Sequence, residues 1–209
     1  MTVITQLSSS LGQKGNDANI ALAKEIAEAE NKNAIKELVE NLKNKDKKIQ
    51  ADCIKTLYET AYIKPDLIAD YYAEFLELLS SKNNRLVWGG MIALKTITDL
   101  KSKELFESLD LISETVNKGS VITVDSGIEI FAKLNKHSEY QYKVENLLTD
   151  QLWKCPSKQL PQYMEKSAIS INEKNKEMYQ KIINERKAEC EKESQVKRLD
   201  KILKLIEKI

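Results

Sequence analysis

A step of 37 residues, repeated along the chain, constrains the fold more than any other feature. Ile35, Leu38, Val39 and Leu42 recur as Tyr72, Phe75, Leu76 and Leu79, and again as Leu109, Ile112, Ser113 and Val116, each set 37 residues beyond the last. A second register with the same step lies between them: Ile54, Leu57 and Ala61, then Met91, Leu94 and Thr98, then Ile128, Phe131 and Asn135. Within each set the spacing is that of one face of an α-helix. A unit this short cannot bury its apolar face alone, but stacked on copies of itself it can, which predicts a helical solenoid.

Composition agrees. With 209 residues, 42% hydrophobic, the chain is long enough to bury a continuous core, and six Gly and three Pro leave little for hairpins. No apolar run reaches the about eighteen residues of a membrane span, and the start lacks the basic and apolar regions of a signal peptide, so a cytoplasmic protein is expected. Cys53, Cys155 and Cys190 are far apart with no Cys-x-x-Cys pair, which argues for reduced thiols, two of them packed, rather than disulfides or a thiolate metal site.

Charge is polarised along the chain. Residues 1–150 carry 19 Lys and Arg against 23 Asp and Glu, whereas residues 151–209 carry 14 against 9. A mildly acidic body argues against a dedicated duplex-binding surface, which must replace the counterions of many phosphates.

Helix punctuation follows the repeat. Asp46, Asn83 and Ser120 stand 37 residues apart, each placed to cap a second-register helix; losing such a cap costs about 1 kcal/mol. In the first register, Asn33 is expected to start a helix over 34–43, Pro65 to lie at the start of one over 66–80, and Ser102 to cap one over 103–117. Residues 2–11 and 17–30, the latter capped by Asp17, read as a shorter pair. Helices are also expected over 139–153, 160–171, 173–189 and 194–208. The organisation is therefore one domain over 1–209: a capping pair at 1–31, three repeats at 32–137, an irregular fourth repeat at 138–171 and a basic helix pair at 172–209.

Asn84–Leu100, reading NRLVWGGMIALKTITDL, resembles the second helix of a HEAT repeat, with Asp46–Ala61 and Ser120–Leu134 resembling it more loosely. The resemblance implies an all-α fold, a right-handed α-α superhelix of about four to five antiparallel helix pairs, with the second helices lining the concave side. Read at the 37-residue step, that surface has Lys48, Arg85 and Ile122 in one row, then Ala51, Trp88 and Asp125, then Asp52, Gly89 and Ser126, then Lys55, Ile92 and Glu129.

Trp88 and Arg85 share a helical face. Trp88 is either packed against its neighbours or a recognition anchor, since Trp and Arg are over-represented at interface hot spots. Gly89 and Gly90 each weaken a helix by about 1 kcal/mol relative to Ala, so something needs the missing side chains. Gly90 aligns with the buried row of Cys53 and Gly127 and suits close helix packing; Gly89 faces the groove, where a partner could approach the backbone. Trp153, beside Leu147, Leu148 and Leu152, reads as core.

No catalytic constellation emerges. His137 is the single histidine, at a predicted helix end, and suits a solvated position. No His pair or Cys cluster has metal-ligand spacing, no glycine-rich phosphate loop is present, and no cofactor is expected. One enzymatic alternative rests on resemblance: Arg85, Trp88 and Asp125 are similar to the groove residues with which HEAT-like alkylpurine DNA glycosylases hold a damaged nucleotide. The acidic body and the absence of a second groove tryptophan depart from that pattern.

In the last helix, Val196, Leu199, Leu203 and Ile206 form an apolar stripe with Ile202, Leu205 and Ile209 beside it, opposite Lys197, Lys201, Lys204 and Lys208. It suits a cover for the end of the solenoid; homodimerisation or attachment to an acidic partner, nucleic acid or membrane are the alternatives. The expectation is a non-catalytic protein-binding or scaffold module. Its concave contact set is Lys48, Asp52, Lys55, Arg85, Trp88, Gly89, Asp125 and Glu129, with a protein partner favoured over nucleic acid.

Overall fold

The computed structural model describes residues 2–209, and every regular element among them is helical. None of these helices is long and apolar enough to cross a membrane. The chain divides into two compact units, one up to Ser126 and one of Gly127–Ile209.

The first unit begins with a 3-10 turn at Val3–Gln6, followed by α1 (Asp17–Glu28), α2 (Lys32–Glu40), α3 (Lys47–Ile63), α4 (Asp66–Ala69), α5 (Tyr72–Leu78), α6 (Asn84–Ile97), α7 (Ser102–Glu107), α8 (Leu109–Lys118) and the start of α9 (Val121–Leu134). The helices α3, α6 and α9 start 37 residues apart, as the second register requires. Asp46 accepts the Lys48 N–H at 2.7 Å and Asn83 accepts the Arg85 N–H at 3.1 Å, each occupying an orphan donor of the first turn. The Ser120 hydroxyl lies 3.4 Å from that of Thr123.

The first-register helices differ from their expected form. Instead of continuous helices over 66–80 and 103–117, α4 and α5 are separated at Asp70–Tyr71, and α7 and α8 at Ser108 (φ −97°, ψ 13°). Asp and Ser are weak helix formers whose side chains compete for backbone groups, and Asp70 is drawn to Lys101 at 2.8 Å. The second and third repeats thus each have a short, a middle and a long helix, whereas the first has α2, a 3-10 turn and α3.

Three caps also shift. The cap of α2 is Asn31, which accepts the Ala34 N–H at 3.0 Å, rather than Asn33. Asp17 and Ser102 stand inside the first turns of α1 and α7, behind Asn16 and Lys101.

Residues 2–11 were expected to be helical and form only the 3-10 turn and irregular chain. The Ser8 N–H donates to Asn19 Oδ1 at 2.9 Å and the Ser9 N–H to Asp52 Oδ2 at 2.7 Å, so donors that a helix would use are bound to distant side chains.

Packing in this unit centres on α3, which lies against α1, α2 and α6, while α5 packs on α6. Ile35, Leu38, Ile54, Leu57, Phe75, Met91, Leu94 and Ile112 are buried. Each such side chain contributes about 1.5–3 kcal/mol through removal from water. Both glycines of α6 are buried as well. A Cβ at Gly89 would lie 2.8 Å from Ile54 Cγ2, and one at Gly90 would lie 3.0 Å from the Phe75 carbonyl oxygen and 3.1 Å from Leu78 Cβ. Close approach of α3 and α5 to α6 accounts for the pair.

The second unit contains the rest of α9, then α10 (Gln141–Lys154), α11 (Leu160–Ser167), α12 (Lys176–Arg186) and α13 (Glu193–Ile206), with 3-10 turns at Ala168–Ser170 and Lys187–Glu189. Leu199, Ile202 and Ile206 of α13 are buried where α13 meets α11 and α12, and its Lys197, Lys201 and Lys204 are exposed, as is Lys208 just beyond it. The apolar stripe is therefore used inside the unit. A bidentate pair from Arg198 to Glu165, at 2.7 and 2.5 Å, adds to the same packing. Leu148 and Leu152 of α10 are buried, but Trp153 is only half-buried because it follows Leu152 round the helix toward solvent.

Two polar arrangements sit in this core. Arg186, 8% exposed, donates to the Leu152 and Cys155 carbonyls at 2.7 and 2.8 Å and pairs with Glu189 at 2.6 Å. It supplies donors to carbonyls at the end of α10 that have no helical partner. Elsewhere, Glu145 Oε2 accepts from the amides of Asn135 at 2.7 Å and Asn175 at 2.8 Å, with the buried Tyr179 alongside on α12. His137, half-buried just beyond α9, has its ring 5.3 Å from that of Tyr140.

The thiols are graded by burial. Cys53 and Cys155 are buried and Cys190 is half-buried. Burial pushes the Cys53 thiol up to about 12, and burial also raises that of Cys155. Because the thiolate is the reactive species, a disulfide reagent at pH 8 is expected to titrate one fast thiol, Cys190. The other two should react only on the timescale of unfolding. A Cys190→Ser variant that kept a fast-reacting thiol would refute this ordering.

Candidate partner-binding groove

A concavity of about 660 Å³ lies along one face of α3 and α6 in the first unit. Its floor is built from the second register. Lys48, Ala51, Asp52, Lys55 and Tyr58 come from α3, Arg85, Trp88, Gly89 and Ile92 from α6, and Ile122 from the start of α9. Successive helices offer the same face because each starts one repeat later, so equal positions line up.

Six of the eight expected contact residues meet there: Lys48, Asp52, Lys55, Arg85, Trp88 and Gly89. Asp125 is half-buried on α9 and is not among the lining residues. Glu129 belongs to the second unit, where it pairs with Lys166 at 3.4 Å. Gly89 lines the groove while its missing side chain makes room for Ile54, so its contribution is a close backbone, not an open slot. The combination of Arg85, Trp88 and Asp125 that resembles a glycosylase groove is not gathered on these walls.

Trp88 is half-buried, with part of its ring surface in the groove wall. Partial burial suits an anchor, since the indole is supported by packing yet keeps surface for a partner; Trp88 also borders a second concavity with Val87, Leu111 and Thr115. Tyr58, which sequence reasoning did not select, adds a second aromatic. Lys55 Nζ lies 4.8 Å from the Tyr58 ring centre and 2.5 Å from Glu59. Burial works to lower the Lys55 pKa, but the hydrogen bonds to Glu59 and Tyr58 outweigh it and hold the ammonium above its ordinary value. For Tyr58, burial dominates and raises the phenol.

The opposite wall comes from the N-terminal segment, which the repeat pattern could not reveal. Ser8, Ser9, Gly12, Gln13, Lys14, Gly15 and Asn16 all border the groove. Gly12 and Gly15, at φ 66° and 95°, allow the chain to turn there in a conformation other residues rarely adopt. Thr2 is hydrogen-bonded to Glu37 and the Ser9 amide is fixed on Asp52, so the chain is tied down where it enters the wall. The Gly-x-x-Gly spacing was the one signal for it in the sequence.

The helical stack resembles solved repeat proteins across nearly its whole length. A designed armadillo repeat protein in complex with the peptide (KR)4 matches 97% of this chain and 91% of its own, at 14% identity and a TM-score of 0.68. This is an armadillo/HEAT-like repeat fold. An engineered protein matches all of both chains at 18% identity and a TM-score of 0.66. A computationally designed armadillo repeat protein for modular peptide recognition covers 96% of this chain and 89% of its own, at 15% identity and a TM-score of 0.64. No protein-family model and no curated protein sequence matches the chain. The armadillo/HEAT-like fold explains the repeat, since stacked units must present equal faces to equal neighbours, as α3 and α6 do.

Proposed function

We propose that this protein is a non-catalytic binding module that holds a segment of a partner protein in the α3–α6 groove. The observation that carries the reading is the convergence of exposed second-register positions from successive repeats on one groove with a half-buried tryptophan in its wall. Such a site offers an aromatic anchor, flanking charge and a continuous track, which is the chemistry of extended-peptide recognition. The similar designed armadillo repeat proteins, one solved with a peptide and one made for modular peptide recognition, support the same reading.

The test is selection from a displayed random-peptide library on the intact protein, followed by affinity measurement on purified wild type and Trp88→Ala. Enriched peptides should bind about thirtyfold more weakly to the variant, the size expected on losing a tryptophan hot spot, with the helical circular dichroism unchanged. Enriched peptides indifferent to Trp88→Ala, or a Trp88-dependent affinity for DNA without any for peptides, would overturn the proposal.

A further inference from the structure

The charge around the groove is out of keeping with the unit that contains it. Residues 1–126 carry 16 Lys and Arg against 19 Asp and Glu, so the unit is net acidic. The groove is lined by Lys14, Lys48, Lys55 and Arg85 against one carboxylate, Asp52, whose Oδ2 accepts the Ser9 N–H at 2.7 Å. Elsewhere in the unit, Lys24, Lys36, Lys43, Lys64, Lys101, Lys103 and Lys118 are each paired with a carboxylate, as Lys55 is with Glu59 in the groove, while Lys32, Lys45, Lys47 and Lys82 have no such pair among the described residues. Among the described residues, Lys14, Lys48 and Arg85 have no ion-pair partner.

Their placement also opposes local helix stability. The positive end of the peptide dipole makes acidic side chains favourable in a first turn and cations unfavourable, by about 0.3–1 kcal/mol each. The first turns of α1, α4, α5, α7 and α8 follow this rule, with Asp17, Asp66, Glu74, Glu104 and Asp110. Those of α2, α3, α6 and α9 contain no acidic residue; Lys32 stands in that of α2, Lys47 and Lys48 in that of α3 behind its Asp46 cap, and Arg85 in that of α6, with Lys45 and Lys82 in the turns before α3 and α6. Local rules broken together at one edge of a concave surface are what a binding site requires. An anion seated there would relieve the repulsion between these cations and the conflict of Arg85 with the dipole of α6, whose cap, Asn83, is neutral where that of α3 is Asp46.

The facing wall adds hydrogen-bonding capacity. The Ser8 and Ser9 hydroxyls are buried and have no hydrogen-bond partner among the described residues. Both residues border the groove.

We infer that the groove takes an acidic peptide segment, with carboxylates at Lys48, Arg85 and Lys14 and an apolar side chain against Trp88 and Tyr58. This rests on the peptide-binding reading above and specifies its partner. Neutralised pairs set specificity and encounter rate more than raw affinity, so charge should decide which segment binds while Trp88 decides how tightly.

The test uses the full chain and three fluorescent nine-residue peptides that share a central Phe, flanked by Asp and Glu, by Asn and Gln, or by Lys and Arg, with a single-stranded DNA 12-mer alongside. Anisotropy is read for wild type, Lys48→Glu/Arg85→Glu and Trp88→Ala. Both cationic positions are exposed, so the reversal should leave the fold intact. The expected result is binding of the acidic peptide that weakens with salt, falls at least about tenfold in the charge-reversed variant, and is replaced there by affinity for the basic peptide. Equal binding of acidic and neutral peptides, both lost in Trp88→Ala, would overturn the acidic preference and leave peptide binding standing. Trp88-dependent binding of the DNA in preference to every peptide, or no binding of any probe, would overturn both.

Discussion

Arg186→Ala is expected to destabilise the protein by about 3 kcal/mol, although Arg186 belongs to the second unit rather than to the one with the groove and reads in the sequence as one more charge on a basic helix. The guanidinium is 8% exposed and donates to the carbonyls of Leu152 and Cys155. Removing it leaves two carbonyl groups without donors in a place water cannot easily reach, at about 1–3 kcal/mol for each unsatisfied group. Glu189 moderates the loss, because it is half-exposed and can be solvated once released. Chemical denaturation of wild type, Arg186→Ala and Arg186→Lys measures the effect. Lysine keeps the charge but cannot span two carbonyls and a carboxylate with a planar fork, so it should recover less than half of the loss. Equal stability of all three proteins would show that Arg186 is not a clamp.

Gly89→Ala is expected to cost about 2 kcal/mol, against the sign that helix propensity alone would give. Alanine gains about 1 kcal/mol over glycine within a helix. The new methyl group, however, would sit within 3.1 Å of Ile54 Cβ and closer still to both γ-carbons. Ile54 is 2% exposed and β-branched, so it has no second rotamer into which to retreat, and overpacking of this kind costs about 1–3 kcal/mol or more. The decisive measurement is a double-mutant cycle with Ile54→Ala. Each single variant should be destabilised, and the double should be more stable than the sum predicts, because each change makes room for the other. Additive losses would return Gly89 to the alternative in which its bareness serves a partner.

The 37-residue step was legible because stacking imposes it: helices that must present equal faces to equal neighbours have to begin at equal intervals, and Lys47, Asn84 and Val121 do. For the same reason six of the eight groove residues could be read as rows before any coordinates. What escaped depends on contacts distant in sequence. The Ser9 amide is held by Asp52, 43 positions away, and a serine-rich stretch carries no periodic sign of such a bond. The breaks at Asp70–Tyr71 and Ser108 fall inside apolar patterns that continue across them, so periodicity reads straight through. Arg186 has the same difficulty in reverse, since nothing local distinguishes a buried arginine from a solvated one. Asp125 does not line the groove although Ile122, one turn earlier on α9, does, and Glu129 belongs to the second unit.

The tie between Ser9 and Asp52 also gives the groove a movable side. Repeats lean chiefly on their neighbours, so the stack of α3 and α6 keeps its own packing if the N-terminal segment detaches. The N–H bonds of Ser8 and Ser9 to Asn19 and Asp52, with the buried Val3 and Leu7, hold this segment by less than the buried faces of the helices beneath it. Local opening of this wall therefore costs far less than unfolding and exchanges the Ser9 amide hydrogen with solvent. A segment lying between the wall and Trp88 would hold the wall shut. Exchange at that single amide would then slow with occupancy while the amides of α3 and α6 kept their pace, so a turn remote from the repeat pattern would report what the repeats have captured.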